Sequence, residues 1–115
     1  MIKVKGKNAL ITGSSRGIGQ QFALGLASLG CNIIVHGRTH ESCSKTLKGL
    51  EKFKVNTYCV FGELSDESQV EDLIEQVKNI KINLILFFLP STILIYTNSL
   101  SLLKKSELHL AGRFN

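Results

Sequence analysis

The segment TGSSRGIG at residues 12–19 constrains the chain more than any other. It follows a short apolar run, residues 8–12, and opens a stretch in which Ile18, Phe22, Ala23, Leu24, Leu26, Ala27 and Leu29 recur at helical spacing. A buried strand, a glycine turn and a helix therefore succeed one another within about twenty residues. Each glycine has a physical task in such a unit. Gly13 lets the chain turn sharply off the strand, Gly17 lets backbone approach a pyrophosphate, and Gly19 lets the helix pack close to the sheet. The helix start then offers unpaired N–H groups and a partial positive charge to an anion, and Ser14 and Ser15 can add hydroxyl donors. A glycine-rich turn without a ligand is the plain alternative.

The same alternation continues. Gly30 offers the first helix a stop, residues 32–37 (NIIVHG) read as a second strand, and residues 41–53 read as a helix with Leu47, Leu50 and Phe53 on one face. Residues 56–62 give a third strand. Residues 66–77 give a helix with Val70, Leu73, Ile74 and Val77 inward and Ser65 or Asp66 as cap. Residues 82–89 (INLILFFL) read as a fourth strand, apolar throughout because a central parallel strand is buried on both faces. Repeated strand–helix–strand units predict an α/β chain: a Rossmann-type, doubly wound parallel sheet of about four strands, order 3-2-1-4, incomplete on one side. Beyond Pro90 no clean period survives, and a helix over about 91–105 or a poorly ordered tail are both open.

Composition narrows the functional classes. With 115 residues the chain holds one small domain, 1–115. Three cysteines (Cys31, Cys43, Cys59) are an odd number without metal-type spacing, so neither a disulfide framework nor a zinc site is expected, and a reduced, cytoplasmic setting is. The net charge of +5 carries no basic run longer than Lys104-Lys105, and no aromatics interleave with it, which argues against nucleic acid. Residues 80–103 are broken by Asn83, Pro90, Asn98 and several Ser/Thr, so a membrane span is not the expected reading. His36, His40 and His109 show no metal spacing and read as surface or strand-end histidines, and Cys59 reads as a small core residue.

With Thr12 ahead of it, the GxxxGxG spacing resembles the short-chain dehydrogenase/reductase family, and the resemblance runs over residues 7–83, with 84–115 divergent. It implies a cofactor site of Gly13, Ser14, Ser15, Arg16, Gly17, Ile18 and Gly19. At the end of the second strand the family distinguishes its cofactors by an acidic residue that accepts from a ribose 2′-hydroxyl. Here glycine stands at that place, and Arg38 follows it. Arg38, with Arg16, can clamp a phosphate, so the resemblance implies NADP over NAD. Glu63 and Leu64 stand where the family meets the adenine with a carboxylate and the next backbone N–H. The plain alternatives are a solvated Arg38 and a simple helix-entry loop at 62–66.

Other family features are missing. Phe87-Phe88 and Leu89-Pro90 stand where the family has Asn-Asn and Ala-Gly. The family's general acid is a tyrosine with a lysine four residues on; here Gly62 follows Tyr58 at that distance and Leu100 follows Tyr96, so no catalytic residue carries over. The expectation is the NADP-binding half of an oxidoreductase acting on carbonyls and alcohols, such as oxoacyl thioesters or sugar acids, inactive as this chain alone. The full-length family is usually homo-oligomeric. A non-catalytic nucleotide-binding remnant of a broken reading frame, and a membrane-tethered fragment, are the competing readings.

Overall fold

A computed structural model of the chain describes residues 4–82, 86–89 and 93–96. Strand β1 (Asn8–Ile11) leads into helix α1 (Gly17–Ser28), β2 (Asn32–Gly37), helix α2 (Ser44–Leu50), β3 (Thr57–Phe61) and helix α3 (Glu67–Ile80). Strands β4 (Leu86–Leu89) and β5 (Ile93–Tyr96) follow. The sheet order is β3-β2-β1-β4-β5. β1 pairs parallel with β2 and β4, and β2 pairs parallel with β3. The first four strands thus take the 3-2-1-4 order that the alternation predicts.

Single-residue alternation along the strands feeds two separate cores. Ala9, Ile11, Ile33 and Val35 pack with Ala23, Leu26 and Ala27 of α1 and Leu50 of α2. Leu10, Ile34 and Val60 point to the other face and pack with Leu64 and with Val70, Leu73 and Val77 of α3. The handedness of the crossovers explains the division. Moving from β1 to β2 to β3 puts both connecting helices on one face, and reversing direction to reach β4 puts α3 on the other. The point where the direction reverses lies between β1 and β4, and a crevice at the carboxyl ends of the strands is the consequence.

Local chemistry sets the element ends. Small residues of α1 face the sheet, while Ile18 is 80% and Leu29 63% exposed, so these two stand outside the core despite their helical spacing. Gly30 turns the chain with φ 88°, where Lys5 leaves little room for a side chain. Asp66, not Ser65, caps α3: its carboxylate accepts from the Ser68 N–H at 3.0 Å. α3 runs on to Ile80, past the expected end at residue 77.

Two expectations change. The helix expected over 41–53 is a 3₁₀ turn, Glu41–Cys43, followed by the shorter α2 and then turns. Thr39 and Ser42 exchange side-chain and backbone hydrogen bonds there and hold the entry tight. In the stretch where a helix over 91–105 or an unordered tail was open, residues 93–96 form β5, antiparallel to β4 with Leu89 opposite Ile93. The far edge of β4 is therefore paired rather than open over these residues. The fourth strand spans 86–89 of the expected 82–89, and the rest of the 91–105 stretch lies outside the described residues.

The amino ends of the first three strands share an asparagine ladder, Asn8, Asn32 and Asn56. The Asn32 Nδ2 donates to Asn8 Oδ1 at 3.0 Å, and the Asn32 Oδ1 accepts from the Asn56 N–H at 2.9 Å. Asn32 thereby ties β2 to both neighbours. Replacing it with alanine is expected to cost about 1–2 kcal/mol, since two bonds are lost at a half-buried position. Urea denaturation of Asn32→Ala against the parent chain checks this.

Candidate functional site

The carboxyl ends of β1, β2 and β3 open on one cleft of about 630 Å³. It is lined by the turn after β1 (Thr12, Gly13, Ser15, Arg16), the start of α1 (Gly17, Ile18, Gly19), the end of β2 with Arg38, and Gly62, Glu63 and Leu64 after β3. Of the ten residues proposed from sequence for cofactor binding, nine line it. Ser14 does not: it is buried, its Oγ accepts from the His36 N–H at 2.9 Å, and its own N–H donates to the His36 carbonyl at 3.0 Å. The Ser14 hydroxyl thus holds β1's exit to β2, and its reach is inward rather than toward a phosphate.

The glycines divide by cause. Gly13 has φ 65° and Gly17 φ 62°, both left-handed, as the turn requires. A Cβ on Gly19 would collide with the Gly13 carbonyl and come within 3.1 Å of the Ser14 Cα, so Gly19 is what lets α1 sit down on its own entry loop. A Cβ on Gly17 would meet nothing within 4 Å. The left-handed backbone, not packing, is what asks for glycine at 17, and the space above it is open. A Cβ on Gly37 would strike the Ser42 hydroxyl and lie 3.0 Å from the Cys43 sulfur and 3.2 Å from the Ser15 Cβ. A side chain at the end of β2 would have to displace the Ser42 hydroxyl and press on Cys43 and Ser15.

Sequence reasoning set His36 aside, and it proves central. It is 4% exposed. Its Nδ1 accepts from the Gly13 N–H at 2.8 Å, and its Nε2 lies 2.9 Å from the Gly62 carbonyl. Only the neutral ring with hydrogen on Nε2 satisfies both partners. Burial pushes its pKa below the usual 6.5, opposed in part by the Gly62 carbonyl and by the charge of Glu63. Thr46 and Gln20 were missed as well. The Thr46 Oγ1 donates to the Ser14 carbonyl at 2.8 Å, and the Gln20 Nε2 donates to Thr46 Oγ1 at 2.9 Å and to the Ser15 carbonyl at 3.3 Å. These bonds tie off the loop from behind. No local pattern announces them, because the partners lie up to 32 residues apart.

The start of α1 contrasts with that of α3. α1 has no side-chain cap and no acidic residue in its first turn. α3 has the Asp66 cap and Glu67. Unpaired N–H groups at the uncapped end therefore face the cleft, beside Arg16. At the far wall Arg38 Nε lies 3.1 Å from Glu63 Oε2. The sequence reading gave these two residues separate tasks, whereas the fold joins them. His40 is exposed and meets Phe61 edge-on, and Cys59 is half-buried against the core. Burial, with the neighbouring Cys59, pushes the Cys43 thiol up to about 12, and all three cysteines are free. Among the described residues no three His, Cys, Asp or Glu side chains gather as a metal site, and no helix is long and apolar enough to cross a membrane.

Comparison with known proteins matches residues 7–87 to the family model for the short chain dehydrogenase. The chain belongs to the short-chain dehydrogenase family. Over 67 residues, 57% of this chain and 26% of the relative, it is 45% identical to the L-rhamnose 1-dehydrogenase (NADP(+)) of Thermoplasma acidophilum. Over 80 residues, 69% of this chain and 32% of the relative, it is 34% identical to the 3-oxoacyl-[acyl-carrier-protein] reductase FabG of Aquifex aeolicus. Its fold is similar to that of a 3-oxoacyl (acyl-carrier-protein) reductase from Agrobacterium tumefaciens C58, solved with NADP bound, at TM-score 0.70 and 31% identity, covering 96% of this chain and 42% of that one. The chain thus spans about a quarter to a third of the length of these curated relatives.

The His36 geometry carries a pH dependence. Its folded pKa lies below the unfolded value, so between the two the unfolded chain binds a proton that the folded chain does not. Stability is expected to fall as pH drops below about 6.5, by about 1.4 kcal/mol for each pKa unit of difference. Thermal melts of the parent chain and His36→Gln at about pH 7.5 and 5.5 measure it; the variant should lose much of the difference.

Proposed function

We propose that the cleft binds NADP(H) in preference to NAD(H), as the cofactor-binding part of a family whose reaction moves a hydride between nicotinamide and a carbonyl or alcohol. One observation carries the reading: the end of β2 offers a cationic side chain, Arg38, on the cleft wall, with glycine rather than an acid before it at Gly37. An acid there would accept from a ribose 2′-hydroxyl and repel a 2′-phosphate; an arginine favours the phosphate. The open space over Gly17 and the uncapped start of α1 suit a pyrophosphate. Ser15, Arg16, Ile18 and Gly19 complete that wall. Glu63 and the Leu64 backbone take the adenine, and Gly13 and Ser14 act through the shape of the turn. The names of the rhamnose dehydrogenase and of the NADP-bound reductase support the same cofactor.

When bound, the nicotinamide supplies the hydride acceptor or donor. The chain's own residues hold the adenosine and phosphate portions and set the choice of cofactor. A charge-assisted contact contributes about 1.5–3 kcal/mol, and Arg38 sits at the low end because its side chain is 64% exposed. Arg38→Ala is expected to weaken NADPH binding about tenfold and leave NADH within about twofold. Fluorescence titration of both cofactors tests this; equal losses would mean that Arg38 acts through structure.

Neither tyrosine, Tyr58 or Tyr96, has a lysine four residues on. We therefore propose that these 115 residues bind the cofactor without reducing a carbonyl. Loss of general acid catalysis alone removes about 10²–10⁴-fold. The expected outcome is no NADPH oxidation above a heat-killed control with ketone, oxoacyl or keto-sugar substrates, followed at the NADPH absorbance. Turnover above that control would assign a proton donor among the residues excluded here.

A further inference from the structure

We propose that Glu63 is a built-in competitor of the cofactor's 2′-phosphate for Arg38, so that its charge holds down the preference for NADP(H) over NAD(H). This rests on the cofactor reading above. The pair stands on one wall of the cleft: Arg38 lies just past the end of β2 and Glu63 two residues past the end of β3. Nε of Arg38 is 3.1 Å from Oε2 of Glu63. The carboxylate is held at its post. Its Oε1 accepts from the Ser65 N–H at 3.4 Å, and the Glu63 N–H donates to Gln69 Oε1 at 2.8 Å. Gln69 is itself bonded to the α3 cap, Asp66, at 3.2 Å. The Glu63 backbone is thus anchored to a helix start and its carboxylate is 32% exposed, while Arg38, 64% exposed, is the freer member.

An anion approaching Arg38 meets a neutral pair rather than a bare cation. A 2′-phosphate must share the guanidinium with Glu63 or displace it, and in either case it stands near a fixed negative charge. The neutral 2′-hydroxyl of NAD has no such stake. Glu63 therefore costs one cofactor and not the other. Because the pair is solvent-screened, the effect is a modest one, about two- to fivefold.

Glu63→Gln isolates the charge. Glutamine keeps a carbonyl oxygen for the adenine amino group and for the Ser65 N–H, and NAD(H) reports any change in the shared adenine contact. The experiment titrates NADPH and NADH into the parent chain, Glu63→Gln, Arg38→Ala and the double variant, with circular dichroism to compare their folding. The expected result is that Glu63→Gln lowers the NADPH Kd about two- to fivefold relative to the NADH Kd, the shared adenine contact moving both alike, with a clearly smaller relative gain where Arg38 is already alanine. An NADPH affinity weaker or unchanged relative to that of NADH in Glu63→Gln would overturn the proposal, making Glu63 a residue that orients Arg38 or a bystander. The same gain persisting without Arg38 would overturn it too, since the charge would then act on the phosphate directly. Failure of the parent chain to bind either cofactor would instead overturn the cofactor reading, and this proposal with it.

Discussion

His36 accepts a hydrogen bond from the Gly13 N–H and donates one to the Gly62 carbonyl, so one neutral ring joins the ends of β1, β2 and β3. Around it the Ser14 hydroxyl holds the His36 N–H, Thr46 holds the Ser14 carbonyl, and Gln20 holds Thr46 and the Ser15 carbonyl. A turn with glycines at positions 13 and 17, both left-handed here, has many backbone conformations open to it. These buried bonds choose one. They satisfy the loop from the protein side, which leaves the uncapped start of α1 with N–H groups directed to the cleft.

The floor of the cleft is therefore polar and fully engaged, although it sits on two apolar cores. That combination follows from the crossovers. β1, β2 and β3 end at the same edge because they are parallel, and their loops must meet there. The helices that return the chain pack on both faces of the sheet and leave this edge open. Position, not unusual chemistry, makes the rim a site. The glycines around the cleft have different causes. Gly19 and Gly37 answer to protein packing, whereas Gly17 has open space above it.

Much of the candidate site was legible in the residues. The order of apolar run, TGSSRGIG and helical spacing is a local pattern, and each glycine's conformational need is a property of the residue itself. The 3-2-1-4 order was legible for a similar reason, since right-handed crossovers leave few alternatives. Helix packing was read less well. Ile18 and Leu29 have helical spacing yet stand exposed, because Ala23 and Ala27 let α1 approach the sheet along a narrower face. β5 was not legible at all: residues 91–105 show no period, and pairing with β4 is a choice made between strands rather than within one.

The amino-acid sequence by itself determined the strand–turn–helix unit, the succession of elements to α3 and the placing of an arginine rather than an acid after β2. These are consequences of spacing, backbone freedom and charge, all encoded within a few neighbouring residues. Tertiary structure alone decided that His36 is buried and neutral, that the Ser14 hydroxyl faces inward, and that Arg38 is partnered by Glu63. The partners in these contacts lie 22 to 26 residues apart or come from different loops. No periodicity links such residues. They meet because parallel strands end together; His36 and Ser14 then pair because their polar groups would otherwise be buried without a partner, and Arg38 and Glu63 by charge at the rim.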